Sequence, residues 1–224
     1  MFYEQTGLSV LASYRPVCYC QPVETKTRKG ARPSARERLL AAADELFYAE
    51  GIHTVGIDRV IERAGVAKAS LYDCFGSKDE LIRAYLAARQ QARQARIVAM
   101  LARCTSPREQ LLGVFEVMGA AFTQPGFRGC AFVRASAEAQ PGVAVKGVCD
   151  GSRGWIRALF CDLAQQAGAT DPAALAQQLV LLYDGATVSA QMDGNPGAAA
   201  AARAVAAVLI DAATGSASGS SPNP

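Results

Sequence analysis

From residue 34 onward, apolar residues recur at three- and four-residue intervals, and Gly and Pro interrupt them at regular stations. That period belongs to helices with one buried face. Ser34 followed by Glu37 makes a capping box, and Leu39, Leu40, Ala43, Leu46 and Phe47 continue at helical spacing until Gly51. Gly56 opens a short second helix holding Val60 and Ile61, which Gly65 ends. Ala67 to Asp73 read as a third short helix, with Val66, Leu71 and Phe75 available for a small three-helix core. Ser77 with Glu80 is a second capping signal, opening a long helix over 77–103 that carries Arg83, Arg89, Arg93 and Arg96.

The rest continues in the same period. Pro107 opens a helix to Gln124 with Leu111, Leu112, Phe115, Met118 and Phe122, and Pro125-Gly126 breaks it. A short helix over Cys130–Ala139 ends at Pro141-Gly142. A long one over 143–167 holds Trp155, Ile156, Leu159, Phe160 and Leu163 and ends at Gly168. Asp171-Pro172 supplies a cap and a first-position proline for a helix to Met192. Gly194-Asn195-Pro196 separates it from an Ala-rich helix over 197–213.

No strand pattern or internal repeat is visible. The predicted fold is all-α with about nine helices: an N-terminal three-helix bundle over 34–80 and a helical domain over 81–213. Residues 1–33 lack periodicity and read as a disordered extension with a basic arm at 26–32; residues 214–224, rich in Ser, Gly and Pro, read as a disordered tail.

Charge divides the chain more sharply than its net +3 suggests. Residues 24–96 carry 14 Lys and Arg against 10 Asp and Glu, whereas residues 97–224 carry 8 against 9. A basic N-terminal third on a near-neutral remainder suits a phosphate-binding module joined to something else. The 7 Cys are odd in number. The first twenty residues carry Glu4, and the apolar run Leu8–Ala12 is too short for a signal-peptide core. The thiols are therefore expected reduced and the protein cytoplasmic. No apolar run suits a membrane span; the best, 197–213, is mostly Ala and contains Arg203.

Residues 54–80 carry the chemistry. Two short helices meeting at Gly65 make a helix-turn-helix, whose second helix can enter the DNA major groove. The run closely resembles the DNA-binding domain of the tetracycline-repressor (TetR) family. The matching pieces are Ala41-Ala42-Ala43-Asp44-Glu45-Leu46-Phe47, Gly51-Ile52, Ile57 to Ala64, Gly65-Val66-Ala67, Ser70-Leu71-Tyr72, Phe75, and Ser77-Lys78-Asp79-Glu80-Leu81. The resemblance implies a dimeric transcriptional regulator, most often a repressor, that binds a palindromic operator and is released by a small molecule. No cofactor and no metal is expected. One departure stands out: where the family places His or Tyr against a phosphate, this chain has Cys74, preceded by the acidic Asp73. A thiol is a weak donor.

On this reading Ala67, Lys68, Ala69, Ser70, Tyr72 and Asp73 face the groove. Lys68 suits guanine O6 and N7, and the hydroxyls of Ser70 and Tyr72 suit phosphate. Lys78, Thr54 and Gly56, at helix starts, suit backbone phosphates, and Arg28, Lys29 and Arg32 add contacts from the arm. Leu175, Leu179, Leu182 and Tyr183 form one stripe, and Ala198, Ala202, Val205 and Leu209 another; they are expected to form a four-helix dimer interface, with intramolecular core as the alternative. The resemblance implies a ligand pocket among Phe115, Met118, Phe122, Cys130, Phe132, Val133, Trp155, Phe160 and Tyr183, each of which also suits plain core. With no charged cluster evident among them, an apolar or aromatic ligand is expected.

Other classes fit less well. His53 is the lone His, and no Cys/His arrangement or metal-spaced cluster supports an enzyme; Cys18-Tyr19-Cys20 by itself falls short of a site. A thiol-based redox sensor using Cys104, Cys130, Cys149 and Cys161 is an alternative, as is an all-α interaction module that has lost DNA binding through Asp73 and Cys74.

Overall fold

The computed structural model describes residues 33–138 and 143–215. The expectations for the basic arm, for Cys18 and Cys20, for the Pro141-Gly142 break and for the tail past 215 fall outside them. The described residues form nine helices and no strand: α1 Ala35–Glu50, α2 Ile57–Ala64, α3 Lys68–Phe75, α4 Lys78–Leu101, α5 Pro107–Phe122, α6 Ala131–Glu138, α7 Val143–Gln166, α8 Pro172–Met192 and α9 Ala198–Ala213.

The caps explain the boundaries. Ser34 and Glu37 complete a reciprocal capping box at α1. The Ser77 hydroxyl accepts from Glu80 N (3.1 Å), Ser106 from Glu109 N (3.2 Å) and the Asp171 carboxylate from Ala174 N (3.0 Å).

Two apolar clusters hold the helices. The larger joins α4, α5, α7, α8 and α9 around Phe115, Leu159, Phe160, Leu179 and Ile210, all within 1% of full burial. The rings of Phe115 and Phe160 lie 5.9 Å apart. The smaller packs α1 to α4 through Leu39, Phe47, Val60, Leu71 and Leu81, but it also takes in Phe132 and Ala135 of α6 and Cys149 of α7. The N-terminal bundle thus shares its core with the following helices. Each fully buried aliphatic side chain contributes about 1.5–3 kcal/mol, so this junction is a packed interface.

The C-terminal pair corrects the expected dimer surface. Leu175, Leu179, Ala198 and Ala202 are buried inside the chain, and Leu182 and Leu209 are half-buried against the same cluster. On α8 the opposite face carries Leu181, Val188 and Met192, exposed at 63%, 49% and 78%. On α9 Val205 and Val208 are exposed. Apart from Val205, which stays exposed, these stripes are covered by α5 and α7, and each helix carries a second set of apolar side chains turned outward.

Candidate functional site

The turn between α2 and α3 depends on a left-handed residue. Gly65 sits at φ +61°, where a side chain is disfavoured, and its N–H bonds back to Glu62 O. Arg38 of α1 reaches across, donating from Nη1 to Ala64 O (3.2 Å) and Gly65 O (2.8 Å). A cation on the last carbonyls of α2 also suits the helix dipole. Leu71, fully buried, fixes the rotation of α3. That leaves Ala67, Lys68, Ala69, Tyr72 and Asp73 exposed and Ser70 half-buried. Thr54 and Gly56 are exposed at the entry to α2, and Lys78 is the first residue of α4.

Cys74 lies on the side of α3 nearer the core. It packs, half-buried, against the small core beside Phe75, because it lies one helical turn from Leu71.

Ion pairs sharpen the charge argument. Arg59 pairs with Glu50, Arg63 with Glu45, Arg83 with Glu80 and Arg89 with Asp44. Lys68 Nζ lies 3.0 Å from Asp58, which raises the ammonium pKa by hydrogen bonding and charge. Both partners are exposed, and such pairs are weak, so Lys68 is easily redeployed. Among the described residues up to position 96, Arg36, Arg38, Lys78, Arg93 and Arg96 stand in no ion pair. Arg36 rests over the Phe75 ring at 5.0 Å.

A cavity of about 800 Å³ lies between α1, α4, α5, the turn before α6 with the first residues of α6, and α8. Met118, Phe122, Cys130, Phe132, Val133 and Tyr183 line it, as expected residues; Phe115, Phe160 and Trp155 do not. Phe115 and Phe160 are sealed in the main core, and Trp155 packs on that core with its Nε1 buried. The wall is also more charged than expected, with Arg89, Arg93, Arg96, Asp44 and Asp184 on it. Burial pushes the Tyr183 phenol up. α1 supplies part of the wall, including Leu40 and Tyr48, so the cavity touches the N-terminal bundle directly.

The end of α1 is tied to the turn and helix beyond that cavity. Tyr48 Oη donates to Gly129 O (3.0 Å) and accepts from Arg128 N (2.9 Å). Arg134 Nη1 donates to Tyr48 O (2.6 Å), and His53 N donates to Glu138 Oε2 (3.2 Å). Arg89 stacks over the Tyr48 ring at 3.6 Å while holding Asp44 with two bonds of 2.7 and 3.1 Å.

The N-terminal geometry has counterparts among known proteins. The sequence profile described as bacterial regulatory proteins, tetR family, matches residues 39–85. An HTH-type transcriptional activator, FasR of Mycolicibacterium smegmatis, is 47% identical over 55 residues, 25% of this chain and 25% of its own length. The HTH-type transcriptional regulator SrpR of Pseudomonas putida is 38% identical over 55 residues, 25% of this chain and 26% of its own. The match thus spans about a quarter of these curated relatives. A solved TetR-family transcriptional regulator from Streptomyces coelicolor extends it: 34% identity, 80% of this chain, 96% of that one, and a TM-score of 0.76. The chain belongs to the TetR family.

Membership places it among DNA-binding transcriptional regulators and not among enzymes. The TetR helix-turn-helix residues had been legible in the sequence; Tyr48, Arg89, Arg93, Arg134 and Glu138 had not been assigned a role at the junction. Their partners are distant in the chain (81 positions for Tyr48 and Gly129), and no local pattern marks them. Among the described residues, no group of three His, Cys, Asp or Glu side chains is placed to hold a metal, and no helix is long and apolar enough to cross a membrane.

Proposed function

We propose that this TetR-family protein is a cytoplasmic, ligand-responsive repressor that binds a palindromic operator as a homodimer and leaves it when a small molecule fills the cavity. The observation that carries the reading is the cavity wall itself. It is built partly from α1, whose end is bonded through Tyr48 to the turn before α6. A molecule there would touch both the regulatory helices and the DNA-reading bundle, so a shift of one against the other would change its contacts, as coupling requires.

In this reading Lys68, Ser70 and Tyr72 face bases and phosphates, with Ala67 and Ala69 allowing close approach and Asp73 at the groove edge. Lys78, Thr54 and Gly56 meet the backbone. The exposed stripe of Leu181, Met192, Val205 and Val208 supports dimerisation through α8 and α9. Two copies would present their recognition helices to half-sites about 34–36 Å apart.

The redox alternative draws little support. Burial pushes the Cys149 thiol up to about 11 and raises Cys104 and Cys161 as well, opposite to the shift of a reactive thiolate.

The test has two steps. Sequences selected from random DNA should be palindromic and bound by a dimer in sedimentation analysis, and Val208→Glu should yield a monomer with weak operator binding. A reporter downstream of the selected site should rise when the gene is deleted. A fall on deletion would make the protein an activator, the role named for the M. smegmatis relative; absence of any selected sequence would remove the DNA-binding reading.

A further inference from the structure

The cavity wall carries an unbalanced charge. Arg89, Arg93 and Arg96 lie on one face of α4, at spacings of four and three. Arg89 is neutralised by Asp44. Arg93 is not: its partners are Gln90 Oε1 (2.6 Å), Ser152 O (3.2 Å) and Ser152 Oγ (2.7 Å), with the neutral phenol of Tyr183 beside it. Its guanidinium also stacks against Phe132 at 5.1 Å and Trp155 at 6.0 Å. Arg96 is exposed and in no ion pair among the described residues.

The acids of the wall offer no compensation. Glu37 is engaged with Ser34, Asp44 with Arg89, and Asp184 with Arg153 at 2.6 Å. Three buried side-chain nitrogens or oxygens among the described residues lack a hydrogen-bond partner, and two of them, Arg93 Nε and Trp155 Nε1, belong to this contact. A buried donor without an acceptor is costly; Trp155 does not line the cavity, so it is Arg93 Nε that points to a group the protein does not itself supply. In a partly enclosed site the Arg93 charge acts with less screening than at the surface.

We propose that the cavity takes an amphipathic anion, with its apolar or aromatic body over Met118 and Phe122 and a carboxylate or similar group on Arg93. The proposal rests on the reading of this cavity as the effector site. It adds a charge to the expected apolar or aromatic ligand: Arg93 selects anions, admits alcohols weakly and rejects amines.

The test compares 4-phenylbutanoate, 4-phenylbutan-1-ol and 4-phenylbutylamine, which share a body and differ in charge. Dodecanoate and dodecan-1-ol repeat the comparison on a longer body. Binding to the full-length protein is read by calorimetry and by the emission of Trp155, the chain's single Trp. At least one carboxylate should bind about tenfold or more tighter than its alcohol, and the amine should not bind. Arg93→Gln should erase that preference while leaving alcohol affinity unchanged, which also shows that the cavity is intact; Arg93→Lys should keep part of it. Equal affinities for acid and alcohol, a preference that survives Arg93→Gln, or no carboxylate binding at about 1 mM would each overturn the proposal. If Arg93→Gln does not fold, the wild-type comparison decides. Operator affinity is measured separately. A carboxylate that binds through Arg93 without releasing DNA retains this site and removes the effector reading. Release by alcohol alone does the reverse.

Discussion

Removing one oxygen from Tyr48 tests whether the end of α1 is held by the junction. In Tyr48→Phe the ring remains, and with it the stack under Arg89. What disappears is the donor to Gly129 O and the acceptor for Arg128 N. Each neutral hydrogen bond contributes about 0.5–1.5 kcal/mol net. The two losses are unequal: Arg128 is exposed and its N–H can turn to water, whereas Gly129 is buried and its carbonyl is left without that donor. The expected loss is therefore about 2 kcal/mol. For a chain of this size it lowers Tm by roughly 4–8 °C. The assay is thermal unfolding followed by circular dichroism, with operator affinity measured by fluorescence anisotropy. Operator affinity should stay within about threefold, because the hydroxyl touches neither α2 nor α3. A Tm within about 1 °C of wild type would refute the reasoning, showing that these bonds do not hold the junction.

Other changes have equally specific outcomes. Lys78→Ala should weaken binding to all DNA sequences and reduce the salt slope by about one, whereas Lys68→Ala should alter sequence preference in a selection experiment. Gly51→Ala should destabilise by roughly 1–3 kcal/mol in denaturant titration: residue 51 sits at φ +102°, and an added Cβ would lie 2.7 Å from both Glu138 carboxylate oxygens. Cys149, with its thiol near 11, holds about one part in a thousand of thiolate at pH 8. Peptide mapping after iodoacetamide should find it unmodified in native protein at pH 8 and labelled once the chain is denatured, with native labelling rising only toward alkaline pH.

The nine helices were legible because periodicity, caps and breakers agree. Ser34 with Glu37 and Asp171 with Pro172 put the starts of α1 and α8 within a residue of where they occur. Where they disagreed, the reading slipped. α3 was expected to stop at Asp73, yet it runs to Phe75, because the terminating glycine is Gly76. Periodicity tells which face of a helix is apolar, not what covers it. Leu175 and Leu179 were thus offered as interface and proved to be core, while Leu181 and Met192 went unread on the far side of the same helix. Arg93 was invisible for a related reason. On a helix stripe it looks like a solvated arginine, and only the fold brings Ser152, 59 positions away, to its guanidinium.

α4 is one uninterrupted rod of 24 residues, about 36 Å long at the α-helical rise. Lys78 stands at its first turn and Arg93 about 22 Å further along. If Lys78 meets DNA and Arg93 a ligand, as proposed, such a rod is a lever arm whose two ends do different work. A tilt of roughly 5° about the Arg93 end displaces the Lys78 end by roughly 2 Å, comparable to the whole tolerance of a hydrogen bond. In a symmetric pair the two displacements oppose each other and the error doubles. No unfolding, hinge or loop rearrangement is needed to turn a small event at the arginine into misregistration at the far end. The stiffness of a single helix is sufficient.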